Sequence, residues 1–155
     1  MPKGAPQPQA MSHVDLSRFI DAQKSRYDIA LDEIRRGKKR THWMWFIFPQ
    51  IAGLGRSETA RHYSIVSLAE ARAYMDHALL GRRLRECITA LQDLPGSRSE
   101  EVFGELDALK LRSSLTLFEQ ATKDPLFSAA IERWFGGERD AATLAILERQ
   151  PSSDT

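Results

Sequence analysis

Residues 38–50, KKRTHWMWFIFPQ, decide how this chain is read. Three cations run into a histidine and then into six large apolar residues, two of them tryptophan. As a helix, the Trp43–Phe48 block is apolar on nearly every side and belongs in the interior. Pro49 limits it, because proline disfavours helical geometry in the residue before it. Read instead as a strand through FIFPQIAGL (46–54), it would stand alone, since no other segment sustains two-residue alternation and a lone strand has nothing to pair with. The helical reading makes the whole chain all-α.

Working outward, the remaining signals are helical too. Asp15 or Ser17 can cap a first helix running towards Arg36, with Phe19, Ile20, Tyr27, Ala30, Leu31 and Ile34 as its inner stripe. Gly37 suits the left-handed stop position after it. Ser57 can open a helix, and Ser67 with Glu70 forms a capping box for another, which breaks near His77–Gly81. Leu84, Cys87, Ile88, Leu91 and Leu94 mark the next inner stripe, ended by Pro95–Gly96. Ser99 opens a short turn, and Asp107 is a candidate cap for the helix carrying Leu111, Leu115 and Phe118. Asp124–Pro125 pairs a capping aspartate with proline at the first helical position. Gly136–Gly137 stop that helix, and Asp140 caps the last. The expectation is seven to nine short helices in one domain over 15–148, with flexible tails at 1–14 and 149–155.

Composition bounds the function. A chain of 155 residues that is 42% hydrophobic and 28% charged suits one globular domain. Its net charge of +1 supplies no overall field for nucleic acid. The N-terminus has no apolar core of a secretory signal, and Trp43–Phe48 falls far short of the roughly 20 residues of a membrane span. A cytoplasmic, unanchored protein is expected. Cys87 is the only cysteine, so no intramolecular disulfide forms. His13, His42, His62 and His77 are too scattered to suggest a metal site, and no cofactor is indicated.

Three segments can carry chemistry. The first is the opening stretch. Its cations sit at a helix end, where the carbonyl-rich terminus favours them and such runs are usually solvated. Membrane and nucleic-acid readings both require the aromatics to be exposed, which would leave an unusually large apolar patch. A pocket reading asks less: Trp43 walls it, while His42, Trp45 and Gln50 present polar edges. The second is GLGRSETARHY (53–63), where Gly53 and Gly55 let backbone approach a ligand and Arg56 can grip a phosphate or carboxylate. The third is LDALKLRSSLTLFEQ (106–120), where Lys110, Arg112 and Ser113 interrupt an apolar surface. There the choice lies between an anion site and a salt bridge to Glu70, Glu101 or Asp107, with the serines bonding back to helix carbonyls.

Catalytic patterns are thin. No GxSxG elbow, P-loop or oriented His–carboxylate pair is present, so no catalytic residue is assigned.

The blocks RTHWMWFIFPQIAGLGRS (40–57), SLAEARAYMDHALLGRRLREC (67–87), VFGELDALKLRSSLTLF (102–118) and RWFGGERDAATL (133–144) resemble the bacterial domain-of-unknown-function family numbered eighteen-ten. The resemblance runs from about Asp15 to Leu147. It implies a compact all-helical protein with armadillo-like packing and supplies no ligand or catalytic residue. Members are sometimes labelled calpastatin, the name of an extended, disordered calpain inhibitor, whereas this chain has a core and capped helices.

The leading expectation is a protein that binds a small phosphate- or carboxylate-bearing ligand in one pocket. Arg56 and Arg112 would meet the anion, Trp45 would stack on a ring and His42 would exchange a proton. On that reading Arg112→Ala loses binding and keeps the fold. The alternative is a protein-interaction module using its helical surface.

Overall fold

A computed structural model describes residues 14–151, so most of both expected tails lies outside the described residues. Within them run ten helices: α1 Ser17–Lys24, α2 Tyr27–Arg35, α3 Met44–Ile47, α4 Glu58–His62 and α5 Leu68–Asp76 form the first half. The second half is α6 Ala78–Gln92, α7 Ser99–Phe103, α8 Glu105–Thr122, α9 Pro125–Phe135 and α10 Ala141–Arg149. The fold is all-α, and none of the ten is long and apolar enough to cross a membrane.

The count exceeds seven to nine partly because the first expected helix is two. Its chain turns at Ser25–Arg26, so α1 packs on α3 while α2 packs on α6. Gln23 sits at the turn, fully buried, and donates to the Phe46 carbonyl at 2.7 Å and the Tyr74 hydroxyl at 3.1 Å. A straight helix could not serve both neighbours.

Helix α8 is the hub, in contact with α3, α5, α7, α9 and α10. Every residue from Ser113 to Phe118 is buried, as expected of a helix packed on all sides. Two of the hydroxyls in this run bond back within the helix, Ser113 donating to the Leu109 carbonyl at 3.1 Å and Thr116 to that of Arg112 at 2.8 Å, while the buried Ser114 hydroxyl has no partner among the described residues.

A capping side chain marks five of the ten helix starts, whereas the expected caps at Asp15 or Ser17 and at Ser99 are not formed. Asp124 accepts from the Leu126 N–H ahead of α9, and Asp140 from that of Thr143 ahead of α10. Ser67 accepts from the Glu70 N–H, but the return bond from Glu70 goes to the N–H of Val66, one residue earlier than a strict capping box. Between α5 and α6 the chain breaks at His77, whose Nδ1 accepts from Leu79 and Leu80. FIFPQIAGL is a short helix followed by one parallel bridge, Ile51 to Ile65: Ile65 donates to the Gln50 carbonyl at 2.8 Å and Ala52 to the Ile65 carbonyl at 2.7 Å.

Candidate functional site

The opening stretch is organised by a residue outside it. Glu33, on the inner face of α2 and only 6% exposed, accepts from the N–H of Arg40 at 2.8 Å and of Thr41 at 3.0 Å. It also accepts from the Thr41 hydroxyl and the Trp43 indole, both at 2.8 Å. Burial works to raise its pKa, but these donors outweigh burial and hold the carboxyl down at about 2. The chain after α2 is therefore wrapped around a buried carboxylate, which locks Trp43 into the core and directs the next residues outward.

Lys39 is fixed from the same side. Its side chain is only 7% exposed; the ammonium pairs with Asp107 at 2.8 Å, donates to the Thr41 carbonyl at 2.6 Å and lies 5.0 Å from the Trp43 ring centre. A solvated basic run describes Lys38 and Arg40, which are exposed, but not Lys39. Asp107 is no cap: α8 begins directly after Gly104 with no side-chain cap, and Asp107 turns to the lysines instead.

These contacts frame a cleft of about 520 Å³, within the usual size range of ligand pockets. Lys39, His42 and Trp45 line it from the opening stretch, and Phe103, Asp107 and Lys110 from the α7–α8 junction. Lys110 lies 5.1 Å from the centre of the Trp45 ring, a cation–π arrangement. Its bond to Asp107 is long, 3.4 Å, and its side chain is 32% exposed. Lys39 is thus fully engaged by the protein, while Lys110 keeps capacity for an anion. Glu105 also lines the cleft, which limits it to a ligand of low charge.

The structure brings His42, Trp45 and Lys110 together and separates the others. Trp43 is fully buried behind the cleft. Gln50 accepts the Ile65 N–H through its backbone carbonyl and does not line the cleft. Gly53, at φ +105°, turns its loop beside Ile146, and a Cβ on Gly55 would lie 2.5 Å from that of Ala60. These glycines serve the geometry of their own loop, and Arg56 beside them is exposed, outside the cleft.

Arg112 and Ser113 leave the cleft for different reasons: Arg112, two positions on from Lys110, projects from another face of α8, while Ser113, about one turn on, is buried and does not line the cleft. Arg112 pairs with Glu138 at 3.4 Å and Asp140 at 3.8 Å, carboxylates other than the three expected. Ser113 bonds back within its helix, as noted above. Arg112→Ala is therefore expected to lower stability by about 1 kcal/mol and leave the cleft's affinity unchanged. Urea unfolding beside a binding isotherm checks both halves.

The residues that sequence reading missed are Glu33, Lys39 and Asp107. Glu33 had one available signal: it lies on the inner stripe of α2 between Ala30 and Ile34, an odd place for an unpaired carboxylate. Cys87 is fully buried and burial pushes its thiol up to about 12, which suits a core residue rather than a nucleophile. Among the described residues no group of three or more His, Cys, Asp or Glu is placed to hold a metal ion.

A family model described as "Protein of unknown function (DUF1810)" matches residues 13–147. Among solved structures, the conserved hypothetical protein Rv1873 from Mycobacterium tuberculosis is 47% identical, with a TM-score of 0.86. That likeness covers 88% of this chain and 98% of Rv1873. No curated protein matches the chain.

Proposed function

For a chain that belongs to the DUF1810 family of proteins of unknown function, we propose that the cleft between the opening stretch and the α7–α8 junction binds a small ligand carrying a planar group and one phosphate or carboxylate. The observation that carries this reading is the corner made by Trp45 and Lys110, an aromatic face with a partly free ammonium beside it. The planar group stacks on Trp45, the anion meets Lys110, and His42 stands at the rim to donate a hydrogen bond. Lys39 and Asp107 act as positioning residues, holding the two walls together.

Thermal shift of the purified protein against nucleotides, sugar phosphates and dicarboxylates at fixed salt tests it. A ligand at about 100 times its dissociation constant adds roughly 2.7 kcal/mol, a shift of several degrees for a chain of this size. Lys110→Ala and Trp45→Ala are each expected to weaken a hit by about tenfold or more. A hit whose affinity neither substitution changes would sink the reading.

A second reading has its own support. Leu106 and Leu109, 74% and 51% exposed, lie along α8 beside the cleft. They suit a protein partner laid across this face. A flat ligand panel, with a partner interaction lost in Leu106→Asp, would favour it.

A further inference from the structure

The second cleft worth its own assignment lies on another part of the molecule, between α2 and α6. It is about 370 Å³ and is lined by Arg35 from α2 together with Arg82, Arg85, Glu86, Thr89 and Asp93. The last five fall on or just past α6 at three- and four-residue steps, so they form one polar stripe facing the end of α2. Ala90 and Leu94 provide an apolar floor.

The charges that line this cleft do not pair with one another. Arg85 is paired outside the cleft, with Asp124. Glu86 accepts the Tyr27 hydroxyl. Arg35 and Arg82 form no ion pair among the described residues, although two carboxylates line the same space. Guanidinium groups stay charged at any physiological pH, so two helices bring permanent like charges to one cleft. An incoming anion meets two guanidinium forks that no carboxylate among the described residues engages.

From this arrangement we infer that the α2–α6 cleft is a binding site for a small phosphate monoester bearing hydroxyl groups. Arg35 and Arg82 take the phosphate through their planar forks. Thr89 and Asp93 accept or exchange hydrogen bonds with the hydroxyls. Glu86 and Asp93 repel a continuous polyanion, which selects a small ligand over a nucleic-acid backbone. No residue lines both this cleft and the one at Trp45, so the two sites stand or fall separately.

Isothermal titration of the full-length protein with ribose 5-phosphate, inorganic phosphate and ribose tests the assignment. The expected result is saturable binding of ribose 5-phosphate, tighter than that of inorganic phosphate, with none for ribose. Arg35→Ala and Arg82→Ala should each weaken it by about tenfold or more. Arg82→Lys, which keeps the charge and loses the fork, should weaken it too, while Lys110→Ala should not. Both arginines are exposed, so these substitutions cost little stability. Absence of saturable binding at millimolar concentration overturns the proposal. So does binding that both alanine variants retain, or that Lys110→Ala alone removes.

Discussion

Glu33→Gln is expected to cost about 3 kcal/mol of stability at neutral pH. The carboxyl moves from its ordinary 4.5 to about 2 on folding, so its ionised form is strongly preferred in the native state. A group whose pKa falls on folding contributes stability above its unfolded value and loses it as the pH drops towards the folded one. Wild type should therefore weaken between pH 4.5 and about 2, and the Gln variant should lack this part of the acid response. The amide replaces the carboxylate only in part: its oxygen can take the N–H groups of Arg40, Thr41 and Trp43, which all converge on Oε1, but its NH₂ forces the Thr41 hydroxyl from donor to acceptor and the charge that strengthens every bond is lost. Urea unfolding across that pH range measures the difference directly. Equal stability of the two proteins at neutral pH would show that the donors find other partners. Since the same four bonds hold the chain that presents His42 and Trp45, the variant should also lose affinity at the Trp45 cleft.

Gly81→Ala should be at least as damaging, for a steric reason. Helix propensity alone favours alanine by about 1 kcal/mol. Yet Gly81 is buried where α6 turns back on α5, and an added Cβ would sit 2.1 Å from the Met75 carbonyl oxygen and 2.9 Å from its carbon. The obstacle is backbone, so it cannot rotate away, and the two helices must separate. A net loss of about 3 kcal/mol is expected, several degrees in Tm. A variant as stable as wild type would mean that α5 and α6 can part without disturbing the core.

Much of the fold was legible before any coordinates. Asp124–Pro125, Asp140 and the stripe of Leu84, Cys87, Ile88 and Leu91 report contacts within a few residues, and local sequence encodes those well. Legibility fell where the deciding partner was distant. Nothing near Ser25 announces that α1 must reach α3 while α2 reaches α6. Asp107 reads as a cap because its partner Lys39 is far away in the chain. Arg112 reads as an anion-binding residue because Glu138 and Asp140 are also far away.

The candidate site divides the same way. Spacing alone places Lys110 and Arg112 on different faces of α8, and the aromatic block marks Trp43 and Trp45 as either wall or core. Which tryptophan takes which role was set by Glu33, whose carboxylate draws the Trp43 indole inward and leaves Trp45 at the surface beside Lys110. By itself the sequence determined an all-helical chain, most of its caps and most of its buried stripes, because those follow from periodicity and short-range hydrogen bonds. Only the tertiary structure decided which charged side chains meet, since an ion pair or a cleft depends on the distance between segments far apart in the chain, and no local pattern carries that distance.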